Sequence, residues 1–132
     1  MNPETITALC AAGLDLFDTE RIVLAALHED FRYGPDITSE ATVGGKEITV
    51  EVVAREPGVL SGIPVALATL DLASQPRPSM IVGSSDRIEV RTAHDHHSMA
   101  LRGDGERVSR GDVVLRVKGQ ASLILGAERT VL

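Results

Sequence analysis

Tryptophan is missing from this chain, and its aromatic residues are Phe17, Phe31 and Tyr33 alone. Aliphatic side chains must therefore fill any core, and the stacking platforms that hold single-stranded nucleic acid are not expected. Cys10 is the sole cysteine, which forbids an intrachain disulfide and a cysteine-rich zinc site and fits a reducing, cytoplasmic setting. No apolar run approaches the roughly 18 residues of a membrane span. Met1-Asn2-Pro3-Glu4 also lacks the basic run and apolar core of a secretory leader. Positive charge is in short supply: 13 Lys and Arg stand against 19 Asp and Glu, for a net charge of -6 and a pI near 5.1. That balance disfavours polyanions. Neither nucleic acid nor a membrane is an expected partner.

At 132 residues the chain suits one domain, long enough to bury roughly two thirds of its unfolded surface. Hydrophobic residues make up 43% and charged residues 24%, the balance of an ordinary globular protein. Two helices are expected first, from Thr5 to Gly13 and from Asp18 to about Asp30. Asp18 and Thr19 offer capping acceptors to the second, and Ile22, Val23, Ala26 and Leu27 form its buried stripe. Gly34-Pro35 then forbids continuation. From Glu47 to Arg55 the period changes to two, with Ile48, Val50, Val52 and Ala54 on one side, which predicts a half-buried strand. After the Pro57-Gly58 turn, Val59 and Leu60 suit a short strand, and Pro64 sits in the first turn of a helix to about Ala73. Strands are expected around Met80–Val82, Ile88–Ala93, Ser98–Leu101 and Val113–Val117. Helices preceding strands predict an α+β layer, with helices on one face of a mostly antiparallel sheet.

Several segments carry candidate chemistry. In Leu27-His28-Glu29-Asp30-Phe31-Arg32-Tyr33-Gly34-Pro35-Asp36-Ile37-Thr38, two acids fall in the last turn of a helix. They oppose its dipole by a few tenths of a kcal/mol, so a compensating group such as Arg32 or loop amides is expected. The segment reads as shaping the domain, with an Asx-type turn at Asp36. Ala54-Arg55-Glu56-Pro57-Gly58-Val59-Leu60-Ser61-Gly62-Ile63 reads as strand, turn and strand, with no Gly-Lys-Ser/Thr of a phosphate loop. Gly103-Asp104-Gly105-Glu106-Arg107-Val108-Ser109-Arg110-Gly111-Asp112 precedes the apolar Val113-Val114-Leu115, a pattern shared by barrel-sandwich and hammerhead β units. Arg110-Gly111-Asp112 also spells an adhesion tripeptide, which at three residues is taken as coincidence. His94-Asp95-His96-His97 invites a metal reading, because imidazoles at alternate strand positions share a side, but further ligands are few and a hairpin loop is the simpler expectation. The terminal helix ends without Gly, Pro or Asn at Gly126-Ala127-Glu128-Arg129-Thr130-Val131-Leu132. This ending suggests a fragment, with Leu132 reading as buried. One face, with Leu123, Ile124, Leu125, Ala127, Val131 and Leu132, must dock on something.

Taken in order, the first of these segments, the Gly58 hairpin, the Gly-Asp strand lead and Ala127-Glu128-Arg129-Thr130 resemble the N-terminal domain of quinolinate phosphoribosyltransferase. The resemblance covers nearly the whole chain. It implies an α/β hammerhead-like sandwich over residues 1–120, and over residues 121–132 the start of a helix leading into a C-terminal α/β barrel that this sequence does not contain. It also implies the family's reaction, in which quinolinate and phosphoribosyl pyrophosphate yield nicotinate mononucleotide, pyrophosphate and carbon dioxide in NAD biosynthesis. Magnesium is implied as the cofactor, held with the pyrophosphate by the barrel, and no catalytic residue falls in this chain. The implied assembly is a homodimer or larger, with the site shared between subunits.

By the resemblance Arg129 binds quinolinate, whose carboxylates match the parallel donors of a guanidinium. Glu128 is either its orienting partner or a surface acid. Without the resemblance, a Glu-Arg pair on a helix is a solvated face. Two other identities share the pattern. One is a same-fold paralogue, the molybdenum-transport relative. The other is a non-enzymatic barrel-sandwich carrier or binding module modified at Lys118, although the residues around Lys118 do not match a carrier's. Leu123, Val131 and Leu132 are expected to await the barrel, which favours self-association.

Overall fold

The structure is a computed structural model, and it describes residues 1–30, 46–75, 78–79, 89–90 and 96–132. Helix α1 spans Pro3–Ala11. It begins where Asn2 Oδ1 accepts the Thr5 amide at 2.8 Å, with Pro3 in the first turn, where a missing N–H costs nothing. Gly13, at φ 72°, lets the chain reverse. Helix α2, Leu16–Asp30, is capped by Asp15, whose carboxylate accepts the Asp18 amide at 2.9 Å. Asp18, expected as the cap, is instead three residues inside and pairs at 3.5 Å with Arg21 on the surface. The buried stripe is Thr19, Val23 and Leu27. Ile22 is not in it: a helix turns by about 100° per residue, which carries Ile22 away from that line and leaves it 58% exposed.

The sheet strands follow period two. Strands β1 (Glu47–Val53) and β5 (His96–Ala100) flank β7 (Val113–Gln120) in a three-stranded antiparallel sheet of order β1-β7-β5. Val50 and Ser98 face Val117 across the ladder, while Val52 and Ala100 face Leu115. One sheet face is thus apolar. The other carries charge, with Glu51 bonded to Arg116 at 2.7 Å and Glu47 to Lys118 at 2.6 Å. A register shift between Val52 and Val53 ends the regular pairing. Two further antiparallel pairs are minor: β2 (Gly58–Val59) with β6 (Arg107–Val108), and β3 (Pro78–Ser79) with β4 (Glu89–Val90). The expected strands at 80–82 and 88–93 fall largely outside the described residues, as do the Gly34-Pro35 stop, Asp36 and Arg32.

Helix α3, Ile63–Ala73, is the hub of the helical layer. Its Pro64, Ala68, Thr69, Leu70, Asp71 and Leu72 are all buried, because α1, α2, the terminal helix α4 (Ala121–Val131) and β5 pack around it. It starts at Gly62, held at φ 97°. With no side chain of its own to cap the helix, the Gly62 and Ile63 amides donate to Asp104 at 2.9 and 2.8 Å. Leu70 of α3 and Ile124 and Ala127 of α4 meet Val114, Leu115 and Val117 in the main core, while Val23, Leu27 and Leu72 make a second cluster between α2 and α3. The helices therefore lie on one face of the antiparallel sheet, the α+β sandwich expected from the order of elements.

Candidate functional site

The terminal helix is anchored before its polar end is presented. The Ala121 amide donates to the Lys46 carbonyl at 2.9 Å, and Ala121, Leu123, Ile124 and Ala127 are buried. Leu123 is therefore a core residue at 6% exposure, whereas Leu132 is 76% exposed. This reverses the expectation that Leu123 awaits the barrel and the reading of Leu132 as buried, while the exposure of Leu132 agrees with its expected lack of a packing partner. Leu123 is satisfied within the domain, and Leu132 lies past the last helical residue, beyond the layer that covers its neighbours. Val131 packs partly against the main core.

Arg129 occupies the last turn of α4, where a cation complements the negative end of the helix. Its side chain is 86% exposed, and the guanidinium lies 3.7 Å from Asp30 Oδ1. Thr130 donates its hydroxyl to Asp30 Oδ2 at 2.5 Å. The ends of α2 and α4 thus meet through one carboxylate, and this contact compensates the acid that the α2 dipole disfavours. Glu128 is exposed and has no partner among the described residues. The acid beside Arg129 is Asp30, because adjacent residues on a helix diverge around its axis and cannot face each other.

A second polar cluster centres on a buried carboxylate, and the sequence pattern missed it. Asp71 is 4% exposed. Its Oδ2 accepts the Asn2 amide at 2.7 Å, and its Oδ1 accepts Asn2 Nδ2 at 3.0 Å. His96 Nε2 approaches Oδ1 to 3.1 Å, but it lacks the alignment of a hydrogen bond and has no other partner among the described residues. The distance would allow a hydrogen bond, and it is the angle that does not. One signal was legible: Asp71 is the only charged residue in Ile63–Ala73.

His96 and His97 open β5 rather than a hairpin loop, and their alternation sends His96 inward and His97 toward Lys118. His94 and Asp95 lie outside the described residues. No group of three His, Cys, Asp or Glu side chains that could hold a metal exists among the described residues. Lys118 sits within β7 against Glu47, not at the hairpin tip a carrier lysine needs. In the Arg110-Gly111-Asp112 turn, the Asp112 carboxylate accepts the Ser109 amide at 2.9 Å and the Gly111 amide binds the Ala54 carbonyl. The tripeptide serves the turn. Cys10 is a free, exposed thiol, and no described helix is long and apolar enough to cross a membrane.

Sheet, helical cover and projecting arginine define a helix-capped α+β sandwich domain that offers one cation at the end of its last helix. The chain belongs to the family described as quinolinate phosphoribosyl transferase, N-terminal domain, which matches residues 36–132. It is 39% identical over 118 residues to the nicotinate-nucleotide pyrophosphorylase [carboxylating] of Mycobacterium leprae (strain TN), a match covering 88% of this chain and 36% of that protein. Its fold is shared with the solved nicotinate-nucleotide pyrophosphorylase from Francisella tularensis, at TM-score 0.66 and 24% identity over 86% of this chain and 34% of the other. The NadC structure from Streptococcus pyogenes is similar at TM-score 0.68 and 24% identity, over 90% and 36% of the respective chains. The chain spans about a third of the length of these relatives.

Proposed function

We propose that this chain serves as the N-terminal domain of a quinolinate phosphoribosyltransferase, the carboxylating nicotinate-nucleotide pyrophosphorylase of NAD biosynthesis. Residues 1–120 form the sandwich, and residues 121–132 begin the helix toward a catalytic barrel. The observation that carries this reading is Arg129, a largely free guanidinium carried at the end of a helix whose other face is locked into the core. Such a fork suits a pyridine dicarboxylate, which can take two parallel N–H donors. In this reading Arg129 reaches the active site of a neighbouring subunit in a homodimer or larger assembly. Glu128 borders the same turn and adds acidity at the rim of the site.

Joining quinolinate to phosphoribosyl pyrophosphate forms a bond between the pyridine nitrogen and the ribose carbon and expels pyrophosphate, and one ring carboxylate then leaves as carbon dioxide with a proton taking its place on the ring carbon. The domain's part is to bind and orient the dicarboxylate. Magnesium, implied for the pyrophosphate, finds no donor set among the described residues, and no role here depends on it. A cytoplasmic setting accords with the lone free thiol of Cys10.

The test uses this chain joined to the remaining length of the Mycobacterium leprae relative. Arg129→Ala is expected to weaken quinolinate binding, read by calorimetry, far more than phosphoribosyl pyrophosphate binding. Equal losses for both substrates would refute the role, and nicotinate mononucleotide formation by the 132-residue chain alone would refute the division of labour.

A further inference from the structure

We infer that Asp30 is the positioning residue for Arg129, with Thr130 as the clamp that holds the acid in place. The inference rests on the reading of Arg129 as a carboxylate contact. It starts from an energetic oddity: a carboxylate that ends α2 and lies against the last turn of α4 faces the negative ends of two helices, which disfavours it at both. What offsets this is visible in the geometry. The Thr130 hydroxyl takes Oδ2 at 2.5 Å, which turns Oδ1 toward the guanidinium at 3.7 Å.

The two halves of the pair are unequal. Asp30 is 20% exposed and hydrogen-bonded to Thr130, while Arg129 is 86% exposed and stands 3.7 Å from it without a hydrogen bond. Asp30 is therefore the fixed half and Arg129 the mobile one. An exposed pair at that distance contributes little to stability. Its effect is to restrict the sweep of a long side chain while most of the five guanidinium donors stay free for an incoming carboxylate. Glu128, the neighbour in sequence, has no such contact among the described residues.

Asp30→Asn in this chain joined to the remaining length of the Mycobacterium leprae relative removes the charge and keeps the shape. It is expected to raise the quinolinate KM by about tenfold, with kcat and the phosphoribosyl pyrophosphate KM near those of the unmodified protein. Thr130→Val should follow in the same direction, and Thr130→Ser should restore the unmodified value. Glu29→Gln, which removes the same charge from the preceding, exposed residue, should change neither KM. An unchanged or lowered quinolinate KM in Asp30→Asn, with Arg129→Ala still defective, overturns the positioning role alone. A normal quinolinate KM in Arg129→Ala overturns the reading beneath it. Equal rises in both substrates' KM for Asp30→Asn would mark a general structural role and also overturn the assignment.

Discussion

Replacing Asp71 by asparagine asks whether a buried carboxylate, beyond apolar contact, ties the first helix to the core. In the native domain both carboxylate oxygens accept: Oδ2 from the Asn2 backbone amide at 2.7 Å, and Oδ1 from Asn2 Nδ2 at 3.0 Å, while His96 Nε2 lies 3.1 Å from Oδ1 without a hydrogen bond. An amide offers one acceptor and one donor. In either orientation its NH2 meets a donor, whether the Asn2 backbone N–H or Asn2 Nδ2. Asn2 cannot turn its own amide over to relieve this, because its Oδ1 caps α1 through the Thr5 amide at 2.8 Å. One hydrogen bond to a charged group is lost, at about 1.5–3 kcal/mol, and a buried donor is left unpaired, at about 1–3 kcal/mol. With partial relaxation, a destabilisation of about 3 kcal/mol is expected. Urea unfolding reads it as a lower midpoint at unchanged slope, and amide exchange should show α1 losing protection before α3. A loss below about 1 kcal/mol, with α1 protection intact, would refute the tether.

Two further substitutions probe the layers that position the site. Leu115→Ala opens a cavity where the sheet meets Leu70 and Ile124, at a residue 1% exposed, and should cost about 3 kcal/mol in chemical denaturation; under about 1 kcal/mol would mean that this layer is not the main core. Asp104→Ala leaves the Gly62 and Ile63 amides unpaired at the start of α3. A loss of about 1–2 kcal/mol in thermal or urea unfolding, partly recovered by Asp104→Asn, is expected from the loss of a helix cap.

Local pattern carried the parts of the fold that local forces decide. Strand β1 was legible because covering one sheet face forces Ile48, Val50 and Val52 to alternate with exposed neighbours. Pro64 placed the start of α3 for the same kind of reason, since the first helical turn does not need its N–H. The α2 cap was missed because Asp15 and Asp18 lie one turn apart, and only the chain path decides which of them stands outside the helix. Strand β5 begins two residues before its apolar pattern does. His96 faces inward against Asp71, 25 positions away in sequence, and no periodicity records that compensation. The same holds at the site. Arg129 was legible as the candidate cation, but Asp30, paired with it from a distant part of the sequence, could not be read from neighbouring residues.

The contact between Thr130 and Asp30 joins residues a hundred positions apart, and that between Asn2 and Asp71 spans 69. Closing loops of that length must precede any gain from the contacts they bring, so folding of this domain is limited by topology more than by its helices. Helical turns in α2 and α4 need only local bonds, whereas the acid meets the arginine only after the sheet and α3 have brought the two helix ends together. The arginine and its counter-ion belong to different helices, so an unfolded chain presents the cation without its guide.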